Sequence, residues 1–134
     1  MSFLWVGFGG FLGAIARFQM GHWLTPVDSE QAPAIAGMSL YGFPLATLCV
    51  NVLGSFLIGW LAFLNIAGSP MPENLRLLLI TGVLGGFTTF SSFSLESLQL
   101  IQDGNLLRAI INIVANVVLC LLFVACGAAL ARAM

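Results

Sequence analysis

The sequence predicts an all-α membrane protein with four transmembrane helices in a single domain over residues 1–134. Three observations carry that reading: 60% of the residues are apolar, only 7% are charged, and the mean hydropathy is +1.06. A soluble domain carries about a quarter charged residues, so this chain cannot coat a globule with ionic groups. Its apolar runs fall at about residues 3–24, 43–66, 75–101 and 106–131, each near the length that crosses a bilayer. The cationic side chains are four arginines and no lysine, scattered along the chain, which excludes a basic patch for nucleic acid.

The first run has no basic region ahead of it and no small-residue cleavage site, so it is expected to stay as a span. Gly9 with Gly13 and Gly10 with Ala14 sit at the spacing that lets membrane helices approach closely. Gly82 with Gly86 repeats it in the third run, and such pairs serve either packing within one subunit or a dimer contact. Residues 25–42, with Pro26, Asp28, Glu30 and Pro33, form the longest loop.

In the second run Thr47, Asn51, Ser55 and Gly59 recur every four residues and form one polar, small face. An asparagine in mid-membrane is costly unless satisfied, and its amide donates two hydrogen bonds. Asn51 is therefore the leading polar candidate. A turn at Gly68-Ser-Pro-Met-Pro-Glu73 leads into the third run.

That run holds Thr81-Gly-Val-Leu-Gly-Gly-Phe-Thr-Thr-Phe-Ser-Ser-Phe-Ser-Leu-Glu96, with adjacent glycines and a run of hydroxyls halfway along a span. Helix propensity falls there. A break at residues 85–88 would free carbonyls to hold a cation, provided that the backbone is buried in protein or lines a wet cavity. The alternative is an intact helix whose hydroxyls bond back to their own turn. Phe87, Phe90 and Phe93 form a stripe whose positive ring edges suit a small anion, or which simply packs against lipid or core.

The fourth run follows the Gln102-Asp-Gly-Asn105 turn. Its Asn112, Asn116 and Cys120 repeat the four-residue interval and form a second polar track, read either as interhelical hydrogen bonding or as part of a permeation path. Arg17 and Glu96 lie close to membrane depth. Arg17 either concentrates anions at an entrance or snorkels to the interface; Glu96 either reaches the same rim or ends its helix in solvent. His22, Trp5, Trp23 and Trp60 fall near predicted boundaries and carry no assigned chemistry. Cys49, Cys120 and Cys126 suit neither a disulfide framework nor a zinc site. No nucleophile, base and orienting group converge, so catalysis is not expected.

Four spans put both ends on one side. Arg76 and Arg132 then lie on the terminal side, Arg17 and Arg108 on the other. A tie gives no gradient for orientation, which predicts insertion both ways and an antiparallel dimer, or else the charges are too few to inform.

These residues resemble the Fluc, or CrcB, fluoride channels. Three motifs match in order: Gly9-Gly-Phe-Leu-Gly-Ala-Ile-Ala-Arg17, Phe43-Pro-Leu-Ala-Thr-Leu-Cys-Val-Asn51-Val-Leu-Gly-Ser-Phe56, and Gly85-Gly-Phe-Thr-Thr-Phe-Ser-Ser-Phe-Ser-Leu-Glu96. The resemblance implies a dual-topology homodimer with two antiparallel pores and a structural sodium ion on its two-fold axis. The sodium would rest on backbone carbonyls of Gly85 and Thr88 from both subunits. Fluoride would meet Asn51, Thr89, Phe90, Ser92 and Phe93, then Asn112 and Asn116 on the fourth helix, with Arg17 and Glu96 shaping the vestibule potential. Ala46 and Ser92 depart from the family pattern, which usually has glycine and threonine there.

The implied role is passive export that lowers cytoplasmic fluoride, in a cell membrane that by default is a bacterial inner membrane. Hydrofluoric acid enters neutral and dissociates inside, and the interior-negative potential drives the anion out at about 2.3 kcal/mol per charge per 100 mV, with no need of ATP or protons. The rival is a small multidrug-resistance-type exporter, which exchanges protons for cationic drugs at a glutamate in its first helix. The first run here has no acidic residue. A non-conducting assembly subunit is a third reading, and it leaves the two polar tracks without a purpose.

Overall fold

The computed structural model describes residues 2–24, 34–35, 38–39, 42–66 and 68–134. Within them lie four helical spans long and apolar enough to cross a membrane, Ser2–Leu24, Leu45–Phe63, Glu73–Gln102 and Leu106–Ala133. Helix is the form that satisfies every backbone group inside its own segment, which a bilayer core demands. The first, second and fourth spans are single helices, α1 (Ser2–Leu24), α2 (Leu45–Phe63) and α6 (Leu106–Ala133).

The third span is composite. A short α3 (Glu73–Arg76) runs into a π-helical stretch over Leu77–Leu84, then α4 (Gly85–Phe87), and after two residues α5 (Phe90–Gln102). Thr88 (φ −74°, ψ 156°) and Thr89 (φ −149°, ψ 115°) between them are extended. Gly85, where the sequence suggested weakness, is helical, with φ −64° and ψ −36°.

α1 lies along the π-helical stretch and α4, while α2 lies along α6; α5 crosses onto α6, and α1 touches α2 only lightly. Glycine sets both close approaches. A Cβ on Gly9 would strike the Leu78 carbonyl oxygen, and one on Gly13 the Val83 carbonyl oxygen. One on Gly82 would stand 2.8 Å from the Gly9 Cα. Between α2 and α6, Gly59 faces the Val124 carbonyl and Gly127 the Phe56 carbonyl. Gly9, Gly13, Gly82 and Gly86 thus serve packing within one subunit, one of the two uses left open for the small-residue pairs, whereas a Cβ on Gly10 would meet nothing within 4 Å. Gly59, read as part of the polar face, is a packing residue.

The α5–α6 turn ends in a Schellman motif: Gly104 takes φ +76°, its N–H donates to the Ile101 carbonyl at 3.0 Å, and Asn105 N–H donates to Leu100 at 2.8 Å. Asn65–Ile66 pairs antiparallel with Ser69–Pro70, closing the α2–α3 connection. The loop expected over residues 25–42 falls mostly outside the described residues; within the described part, Ala34–Ile35 pairs antiparallel with Met38–Ser39.

Candidate functional site

The extended pair Thr88–Thr89 creates a backbone problem in mid-span, and Asn51 solves it. In a continuing helix the Thr89 N–H would bond to the Gly85 carbonyl. Instead it donates to Asn51 Oδ1 at 2.8 Å, and Asn51 Nδ2 donates back to the Thr89 carbonyl at 3.1 Å. The second Asn51 amide hydrogen goes to Asn116 Oδ1 at 3.0 Å. Both hydrogens of this amide and one acceptor position of its oxygen are thus engaged within one subunit.

The line continues along α6. Asn116 Nδ2 donates to Asn112 Oδ1 at 3.0 Å and to the Asn112 carbonyl at 3.1 Å, and Asn112 Nδ2 donates to Ser97 Oγ at 3.0 Å. Ser97 Oγ in turn donates to the Phe93 carbonyl at 2.7 Å. Asn112 is fully buried and Asn116 nearly so. Buried amides are tolerated because each finds partners. Cys120 keeps the spacing of this track and is half-buried.

Hydroxyls cluster at the start of α5. Thr89 Oγ1 accepts from the Ser92 N–H at 3.2 Å as an N-cap and donates to Ser92 Oγ at 3.0 Å. Thr88 Oγ1 and Ser94 Oγ bond back to the carbonyls of Leu84 and Phe90, both at 2.9 Å. The Phe90 and Phe93 rings lie 5.3 Å apart, tilted by 59°. Their environments differ: Phe93 is 7% exposed and Phe90 77%.

Arg17 Nη1 donates to the Thr88 carbonyl at 3.4 Å, and Arg17 lines a cavity of about 270 Å³ with Thr47, Thr89 and Ser92. Glu96 lines a separate cavity of about 270 Å³ with Gln99 and Asp103. The two charges therefore face adjacent cavities and not one rim, with Thr47 between them: its Oγ1 donates to Glu96 Oε1 at 2.6 Å. Glu96 is thereby a partly buried acceptor of the α2 polar face.

Sequence reasoning grouped Asn51, Thr89, Phe90, Ser92, Phe93, Asn112 and Asn116; the fold brings them together except for Phe90, whose ring touches Phe93 but is 77% exposed. It missed Ser97, whose only signal was its place four residues after Phe93. Trp60, read as a boundary residue without assigned chemistry, has its Nε1 buried with no hydrogen-bond partner among the described residues.

Four apolar spans around an internal polar seam define a small multi-pass membrane protein. The family described as CrcB-like protein, Camphor Resistance (CrcB), matches residues 4–128, and the chain belongs to that family. It is 46% identical over 132 residues to the fluoride-specific ion channel FluC of Rhizobium meliloti (strain 1021), covering 98% of this chain and 96% of that one. It is 47% identical over 127 residues to FluC of Elusimicrobium minutum (strain Pei191), covering 94% and 90%. The FluC of Ruminiclostridium cellulolyticum is 42% identical over 127 residues, covering 95% and 89%.

Proposed function

We propose that this chain is a fluoride-selective ion channel that lets the anion leave the cytoplasm down its electrochemical gradient. The observation that carries the reading is the continuous line of uncharged donors from Asn51 through Asn116 and Asn112 to Ser97, inside a chain whose relatives bear the FluC name. A small, strongly hydrated anion crosses only if donors replace its water at short range. Amide N–H groups, hydroxyls and phenyl edges do so without a fixed cation that would trap it. Each donor in the line already has a protein acceptor, so an arriving fluoride competes for hydrogens and hands them back as it moves on.

The working unit in this reading is an antiparallel homodimer. It is supported by the Phe90 ring, which one subunit alone leaves 77% exposed although it touches the buried Phe93 ring. Sodium fits the third span for a specific reason. The Gly85 carbonyl has lost its helical donor to Asn51, and the neighbouring Thr88 carbonyl accepts, among the described residues, a long contact from Arg17. Gly85 and Thr88 of both subunits would hold the ion through these oxygens, and it would supply fixed positive potential beside the pores. Arg17 adds positive potential at the cavity that opens toward Thr89 and Ser92.

The proton-coupled cation exporter finds no support: α1 contains no carboxylate to carry the exchange. Liposomes loaded with potassium fluoride and reconstituted with the protein should release fluoride when valinomycin is added. Equal release of chloride, or release only with an imposed proton gradient, would sink the proposal.

A further inference from the structure

Away from the polar seam, the α2–α3 connection and the end of α6 enclose a cavity of about 330 Å³ whose walls include Phe63, Asn65, Pro70, Met71, Arg76 and Arg132. Two of the chain's four arginines line it, and among the described residues no carboxylate does. Glu73 lines a neighbouring cavity with Arg76. Arg132 is held over the Phe63 ring, its guanidinium carbon 4.4 Å from the ring centroid. That stacking orients the planar fork and leaves its N–H edge available.

We propose that this cavity binds the phosphate of an anionic phospholipid. Two guanidiniums lining one cavity favour an anion between them, and phosphate oxygens match their paired N–H donors. The position selects lipid as the source. α2 and α6 both end here, so the cavity lies where a bilayer places its headgroups, and the exposed Phe63 and Leu130 just inside it would lie against acyl chains. Exposure of both arginines to headgroup water keeps the cost of their desolvation small. The inference does not depend on what the seam conducts.

Native mass spectrometry of the purified full chain in detergent, titrated with phosphatidylglycerol or phosphatidylcholine, tests it. Wild type should retain phosphatidylglycerol on the order of tenfold better, since each basic residue near a headgroup adds to the attraction. R76Q/R132Q should lose that preference, and R76K/R132K, which keeps the charge without the fork, should fall between and covers the case in which the glutamine pair fails to fold. R108Q, at the opposite membrane boundary, should keep it. An unchanged preference in R76Q/R132Q, or an equal loss in R108Q, overturns the site. Inorganic phosphate that binds wild type while phosphatidylglycerol shows no preference over phosphatidylcholine overturns the lipid assignment.

Discussion

Asn51 and Thr89 are hydrogen-bonded in both directions, carboxamide to backbone, across 38 residues of sequence. The side chain of α2 acts as a strand-like partner for two extended residues of the third span. Asn51→Ala would leave the buried Thr89 N–H unpaired, at a cost of about 1–3 kcal/mol. The expected outcome is a lower unfolding temperature together with loss of fluoride efflux. Asn51→Asp keeps the acceptor for the N–H but turns an anionic oxygen on the Thr89 carbonyl, so it should fare no better. Wild-type efflux in both variants would remove Asn51 from the proposed path.

The aromatic pair separates packing from conduction. Phe93→Ile trims a buried ring, at a cost on the order of 1–3 kcal/mol between a methylene trim and full truncation. Phe90→Ile alters a ring that the subunit leaves exposed and should not change the unfolding of the subunit. Fluoride efflux is nevertheless expected to collapse in both. Normal flux in both would take the rings out of the mechanism.

Sodium withdrawal is the most direct challenge to the carbonyl site. Exhaustive exchange of sodium for N-methylglucamine should slow efflux and loosen the proposed dimer, with recovery on sodium addition. Full-rate efflux from sodium-free vesicles would leave Gly85 and Thr88 without the assigned ion.

Glycine contacts predict a contrast within α1. Gly13→Ala drives a Cβ into the Val83 carbonyl, where backbone cannot give way, and should cost about 1–3 kcal/mol as overpacking. Gly7→Ala meets nothing within 4 Å and should be silent. Thermal unfolding in detergent reads both. Equal stability would show that α1 does not need the close approach to the third span.

Much of the fold was legible in order along the chain. The spans expected at 3–24, 43–66, 75–101 and 106–131 lie within three residues of the observed helix ends, because apolar run length and turn chemistry at Gly104 are local properties. The glycines of the third span misled in one respect: they signalled weak helix, whereas they are helical and thin the helix for α1. The extended residues lie after them, at Thr88 and Thr89, where Asn51 compensates the lost helical bonds.

The candidate site was legible as residue types and spacing, not as partners. Four-residue intervals put Asn112 and Asn116 on one face of α6, and their mutual bond follows from that. Nothing local says that Thr47 meets Glu96, that Arg17 and Glu96 face different cavities, or that Ser97 closes the line.

By itself the sequence determined that four helices must cross a membrane and that a few amides and hydroxyls must be buried with them, since hydropathy and helical periodicity depend only on neighbours in the chain. Which amide meets which backbone group was decided by the tertiary structure alone. Helices in lipid come together where glycines let their backbones touch, and that register, set by contacts distant in sequence, fixes every interhelical hydrogen bond.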